Sequence, residues 1–284
     1  MTKRSILRAI RRFLLLAAMI LVAALLAGWF TGISPGSGID ALTLDPRMSD
    51  ESVIALEQDR GFGAWFARLL RGDLGESTAY GQPVVELVRA RLPATAGVVG
   101  LGLLAGWGSA LAALLVALGA RSSALDSMLA GLSGATISQP AALLALLCLH
   151  ADLPGAAAIG ILLFPQIFAY LRNLTDRILD EPHVLAALAR GVSRPIVIAR
   201  HVLLRAAPTA LSLFGVSVSI ALGAAVPVEV ICGIPGIGQL LWEAALSRDL
   251  PLIVALTAVV AFVTISANFT AESLGAAAAG AEVK

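Results

Sequence analysis

Residues 94–118 read ATAGVVGLGLLAGWGSALAALLVAL, a run without one charged side chain. At about 1.5 Å per residue, a helix of that length covers the roughly 30 Å of hydrocarbon in a bilayer. Five further apolar stretches, near 11–33, 128–149, 154–171, 207–231 and 251–270, repeat the pattern. Together they predict an all-α integral membrane protein with about six transmembrane helices. The composition agrees: 58% of the 284 residues are hydrophobic and 14% charged, where a soluble domain carries about 25% charge. Mean hydropathy is +0.88.

The run Phe13 to Phe30 follows Lys3, Arg4, Arg8, Arg11 and Arg12. It is longer than a signal-peptide core and no A-x-A site follows, so it reads as a retained helix. Basic residues also set the expected orientation. The N-terminal tail has five and no acid, and segment 172–206 has six arginines against three acids. With six crossings, the tail, the 119–127 turn, the 172–206 loop and the C-terminus share one side, the cytoplasm. Segment 34–93 then lies outside. Within it, Ser49 before Asp50 and Glu51, with Val53, Ile54 and Leu56, and the piece Phe62 to Leu70 suggest short surface helices. The expected divisions are 1–33 (tail and first span), 34–93 (external segment), 94–270 (five-helix core with the 172–206 loop) and 271–284 (a flexible Gly/Ala-rich tail).

Several chemistries are excluded by residue type. Lysine stands only at positions 3 and 284, so the chain holds no phosphate-binding G-x-x-x-x-G-K-[ST] loop. His150, His183 and His201 are far apart in sequence, and none belongs to an H-E-x-x-H pattern. Cys148 and Cys232 sit among apolar residues without ligand spacing. No catalytic residue, metal or cofactor is expected in the chain, and a net charge of +1 points to no nucleic-acid partner. Polar residues inside spans are few: Gln139, Gln166, Glu229 and Asn268. Such groups are costly in lipid and so suggest function. For Glu229 two readings stand, a carboxylate at the headgroup level and a structural group of a translocation path. Gly215, Ser219 and Gly223, like Gly102 and Gly106, place small groups on one helix face, which suits close helix packing or a sliding gate.

The most informative loop runs from Asp180 through Pro182, Ala186-Ala187 and Arg190-Gly191 to Ser193. An Ala-rich helical turn ends at Gly191, which can take the left-handed conformation that stops a helix. Arg190 sits well in the last turn. The outcome is either a rigid knob between two spans or an amphipathic connection on the bilayer. Pro235-Gly236-x-Gly238 is a turn signal within an apolar stretch; it fits a plain external turn or a segment dipping back into the external leaflet.

Ala186-Ala187, Gly191, the downstream Arg200-His201 and Pro208 together resemble the EAA loop of ATP-binding-cassette (ABC) importer permeases, in its dipeptide, oligopeptide and nickel version. Leu185 stands where that motif has its acid. Gly72-Asp73-Leu74-Gly75-Glu76-Ser77 is similar to the same family's G-D-L-G-x-S, and Arg91-Leu92-Pro93-Ala94-Thr95 to its R-L-P-x-T. Val228-Glu229-Val230, Pro235-Gly236-Ile237-Gly238 and Arg248-Asp249-Leu250-Pro251 match its remaining signatures in order.

The resemblance covers roughly 45–270 and implies a type I importer permease fold. It implies a coupling helix built on Ala186, Ala187, Arg190, Gly191 and Ser193, which docks on the ATPase. It implies a translocation path or external gate involving Glu229, Pro235, Gly236, Gly238 and Gln139, and an external motif of Gly72, Asp73, Gly75, Arg91, Pro93 and Thr95. The implied partners are a second permease subunit forming a heterodimer, two ATP-binding subunits carrying ATP and Mg, and an external solute-binding protein. The implied location is a prokaryotic plasma membrane, and the implied cargo a peptide or similar small solute. Two other classes compete. An ATP-independent carrier would need more ionisable groups at membrane depth, and an assembly scaffold would not need the ordered motifs.

Overall fold

The computed structural model describes residues 74–120 and 138–282, with a few single positions between 127 and 134. The expected first span at 11–33, the surface helices of 34–73, Gly72, Asp73 and most of 119–137 lie outside the described residues. Apart from one antiparallel bridge between Glu76 and Pro83, the regular structure described is helical. Its elements are α1 Val84–Ala120, α2 Ala141–His150, α3 Gly155–Leu179, α4 Pro182–Ala189, α5 Arg194–Val197, a π-helical turn Ile198–Leu203, α6 Leu204–Cys232, α7 Ile237–Leu246 and α8 Leu250–Glu282.

Four stretches among the described residues are long and apolar enough to cross a membrane: Val84–Gly119, Gly155–Leu179, Arg194–Cys232 and Pro251–Ala278. They contain nearly all of the spans expected at 94–118, 154–171, 207–231 and 251–270. Of the span expected at 128–149, the shorter apolar helix α2 is described. The helices overrun the apolar runs that located them. Helical hydrogen bonds close within the segment, so a helix has no reason to stop where hydrocarbon ends. Thus α3 continues past the apolar run to Leu179, supported by an Arg172–Asp176 ion pair at 2.9 Å. Likewise α8 runs on to Glu282, through the Gly/Ala-rich stretch read from composition as a flexible tail. Alanine has the highest intrinsic helix propensity, and Ala276 to Ala279 carry the helix outward.

The described residues fall into two compact units, one within 74–93 and 235–265, the other within 94–234 and 266–282. In the larger, a core of Leu103, Leu114, Ile159, Leu163, Phe168 and Val228 joins residues of α1, α3 and α6. The small residues decide how closely α1 and α3 approach. A Cβ on Gly102 would lie 2.6 Å from Cβ of Ile159, and one on Gly106 2.9 Å from Cβ of Leu163. Backbones therefore meet directly, as small residues allow where lipid gives no hydrophobic drive between helices. The same logic holds at Gly215, where a Cβ would lie 2.9 Å from Ala271. One turn along, Asn268 Nδ2 donates to Ser219 Oγ at 2.7 Å. The third small residue expected on that face, Gly223, has open space beside it.

In the smaller unit, Val84 packs with Ile237, Leu240, Ala244, Leu252 and Leu256.

Candidate functional site

The loop between α3 and α6 folds as a knob with its own small core. Glu181 is extended (φ −69°, ψ 140°) and Pro182 occupies the first helical turn of α4, where a missing N–H costs nothing. Val184 is fully buried with Ile178, Val197, Val202 and Ala206, and Ala187, Leu188 and Val192 pack against them. The other face is bare: Leu185 is 52% exposed, and Ala189, Arg190, Gly191 and Ser193 are exposed too. The helix ends as its sequence implied. Gly191 takes φ +84°; its N–H donates to the Leu188 carbonyl at 3.0 Å, and the Val192 N–H to the Ala187 carbonyl at 3.2 Å. That pair of bonds is the Schellman motif, which satisfies carbonyls a helix end leaves open.

At the other end of α4, Glu181 Oε2 lies 3.2 Å from His183 Nδ1 and 3.5 Å from Arg205 Nη2. Beyond the knob the chain widens into the π-helical turn that carries Arg200 and His201. Wide turns of this kind occur often at functional sites. The expected Ala186, Ala187, Arg190, Gly191 and Ser193 thus share one short, anchored element.

A second polar construction lies in the smaller unit. Residues 75–83 form a tight loop. Gly75 takes φ +78°, its carbonyl accepts the Val84 N–H at 3.0 Å, and Ser77 N–H donates to Gln82 at 2.9 Å. The Ser77 hydroxyl donates to Asp249 Oδ2, and the Ala79 N–H donates to the same oxygen at 3.0 Å. Asp249 Oδ1 accepts the Leu252 N–H at 3.2 Å. One fully buried carboxylate therefore caps α8 and holds the loop. Beside it, the Tyr80 hydroxyl donates to Glu243 Oε2 at 2.7 Å. Arg91 Nη2 lies 3.8 Å from that oxygen, and Arg91 Nη1 donates to Gln239 at 3.5 Å. The hydrogen bond to Glu243 raises the Tyr80 pKa, with burial and the Glu243 charge adding to it.

Gly75 and Arg91 therefore belong to this construction, while Thr95 is buried in the larger unit. Pro93 is accommodated within α1. Ser77 and Asp249 each lie in a sequence motif, but nothing in either motif marks them as partners.

The expected gate residues are divided. Glu229 is fully buried in α6, rather than displayed to solvent, and its backbone carbonyl accepts the Ile234 N–H at 2.9 Å as α6 closes at Gly233. Pro235 and Gly236 lead into α7 in the smaller unit, where Gly238 is buried. Gln139 is half-buried just ahead of Pro140 and α2. Among the described residues, no group of three or more His, Cys, Asp or Glu could hold a metal.

Long apolar helices packed through glycine contacts, with polar residues gathered in loops, define a multi-pass helical membrane protein. Residues 102–279 match the binding-protein-dependent transport system inner membrane component family, and the chain belongs to that family. A Brucella abortus protein named for a peptide transport system permease is 26% identical over 278 residues, spanning 89% of this chain and 86% of its own. A Brucella suis protein named as a peptide permease is 26% identical over 298 residues, with 91% and 93% covered. The oligopeptide transport system permease protein AppB of Bacillus subtilis is 30% identical over 105 residues, 37% of this chain and 33% of its own. The chain is thus similar to peptide permeases along most of its length. The importer-permease class expected from the motifs holds, with its all-α fold.

Proposed function

We propose that this chain forms one half of the translocation path of an ABC importer for peptides or similar small solutes, and that α4 is its coupling helix. The observation that carries the proposal is the α4 knob. It is a short helix anchored by Val184 and sharply ended at Gly191, with Leu185, Ala189 and Arg190 displayed to a partner. A knob with its own core moves as a unit, so a push on its bare face is passed to α3 and α6 rather than absorbed. ATP and Mg belong to two partner ATPase subunits, since the chain has no phosphate-loop lysine. Binding and hydrolysis there would shift the pore between outward and inward access, a change of population between two states. No bond in the solute changes. A second permease subunit completes the pore, and an external solute-binding protein delivers the cargo. The names of the relatives support peptide as the cargo class.

In this reading both termini and α4 face the cytoplasm, and the 75–83 loop faces outward. Glu229 and the Pro235 to Gly238 segment contribute to the external gate. Single-cysteine labelling in intact cells, in a background lacking Cys148 and Cys232, tests the sides. A probe that cannot cross the membrane should modify a cysteine in the 78–82 turn and spare one at Ser193; the reverse pattern overturns the assignment. Co-purification tests the class. The tagged chain should capture an ATPase, and the complex should hydrolyse ATP while the isolated chain does not.

A further inference from the structure

One face of α7 is exposed and meets no partner among the described residues. Trp242 and Leu246, four residues apart and so on one side of the helix, are 49% and 70% exposed. The opposite side, Ile237, Leu240 and Ala244, is buried. Just past the helix end, Arg248 is exposed and makes no ion pair among the described residues. It also takes φ +54°, a left-handed conformation that is costly for a side chain with a Cβ. Three residues further on, Pro251 begins the apolar stretch Pro251–Ala278, which is long enough to cross the bilayer. The bare face of α7 therefore adjoins a segment that must itself meet lipid.

Tryptophan favours the headgroup level, where its ring is apolar and its N–H is wet, and arginine there meets phosphate. We propose that this face of α7, Trp242 and Leu246 with Arg248 at its end, is an interface anchor that binds the phosphate of an anionic phospholipid. The occupant is lipid rather than protein because the two apolar side chains adjoin a span and the cation is complementary to a lipid phosphate. The inference rests on the chain's place in the membrane, not on α4 or on the sidedness proposed above.

The test uses the full chain in phosphatidylcholine vesicles with Trp29, Trp65 and Trp107 replaced by Phe. Trp107 Nε1 has no hydrogen-bond partner among the described residues, so its replacement sacrifices none there. Should the triple variant not insert, the same signal is read as the difference between the parent and Trp242→Phe. Bromine placed near the headgroup should quench Trp242 more than bromine near the chain end. At equal mole fraction, brominated phosphatidylglycerol should be favoured about fivefold over brominated phosphatidylcholine, the preference that one basic residue at a membrane surface confers. Arg248→Gln should keep the shallow quenching and lose that preference. Trp242 emission indifferent to bromine at either depth would mean that protein or water covers the face. Deep quenching, or no lipid preference in the parent, would equally overturn the proposal.

Discussion

The ends of α4 and α7 use one backbone device for opposite purposes. Each is a short helix ended by the same two hydrogen bonds, Gly191 to Leu188 with Val192 to Ala187, and Arg248 to Ala245 with Asp249 to Ala244. In each, a left-handed residue is followed by a helix-capping position, Ser193 or Asp249, and then by a proline, Pro195 or Pro251. The difference lies in what the capping position does. Ser193 is exposed and its side chain makes no capping bond. Asp249 is fully enclosed, caps α8 and receives two donors from the 75–83 loop. The first turn is thus left bare around a partner-sized face, and the second is fastened to the fold. Position in a motif does not reveal whether a residue is displayed or buried; hydrogen-bond partners do.

The largest effect expected from this contrast is at the fastened turn. Asp249→Ala would leave the Ser77 hydroxyl and the Ala79 and Leu252 N–H groups short of their acceptor, a loss of about 3 kcal/mol or more. Asp249→Asn keeps an acceptor and should cost less. At the bare turn, Ser193→Ala should change stability by no more than about 0.5 kcal/mol. Thermal unfolding of the purified protein compares the two, and equal losses would break the distinction.

The left-handed residues give a smaller, opposite pair. Gly191→Ala should destabilise, and Arg248→Gly stabilise, each by about 1 kcal/mol. Nothing lies within 4 Å of a Cβ at Gly191, so the backbone alone is tested there.

The smallest effect concerns Tyr80. Its neutral phenol donates to Glu243, so its pKa stands above the ordinary 10.0. The stabilisation from that bond is present below pH 10.0 and is lost as pH rises through the higher folded value. Absorbance titration of the phenol should show the raised value in the parent. Glu243→Gln should return it toward the ordinary one, and an unchanged titration would contradict the pairing.

Much of this was legible in the residues. The apolar runs at 94–118 and 154–171 located helices because hydrocarbon thickness fixes a minimum length. Gly191 announced its own turn because glycine alone enters the left-handed region without penalty. The ends of α3 and α8 were not legible, since both continue through charged or Ala-rich residues that keep their hydrogen bonds internal. The turn at Arg248 was hidden because arginine gives no signal for a left-handed backbone. Ser77 and Asp249 lie 172 positions apart; only the fold makes them partners. Four of the six expected spans are seen at full length, while the first lies outside the described residues and the third is described only as α2.

Coupling to the ATPase through α4 is the central claim. Gly191→Val forces a β-branched residue into φ +84° at an exposed site with open space around it. The strain, about 1 kcal/mol or more, is borne by the end of the knob and not by the core that Val184 anchors. The decisive measurement is capture of the ATPase subunits by the tagged chain, with ATP hydrolysis by the captured complex, at matched levels of inserted permease. Gly191→Val should insert like the parent while losing most of both signals. A variant that captures the ATPase and supports hydrolysis at the parent's level would show that α4 does not couple the two.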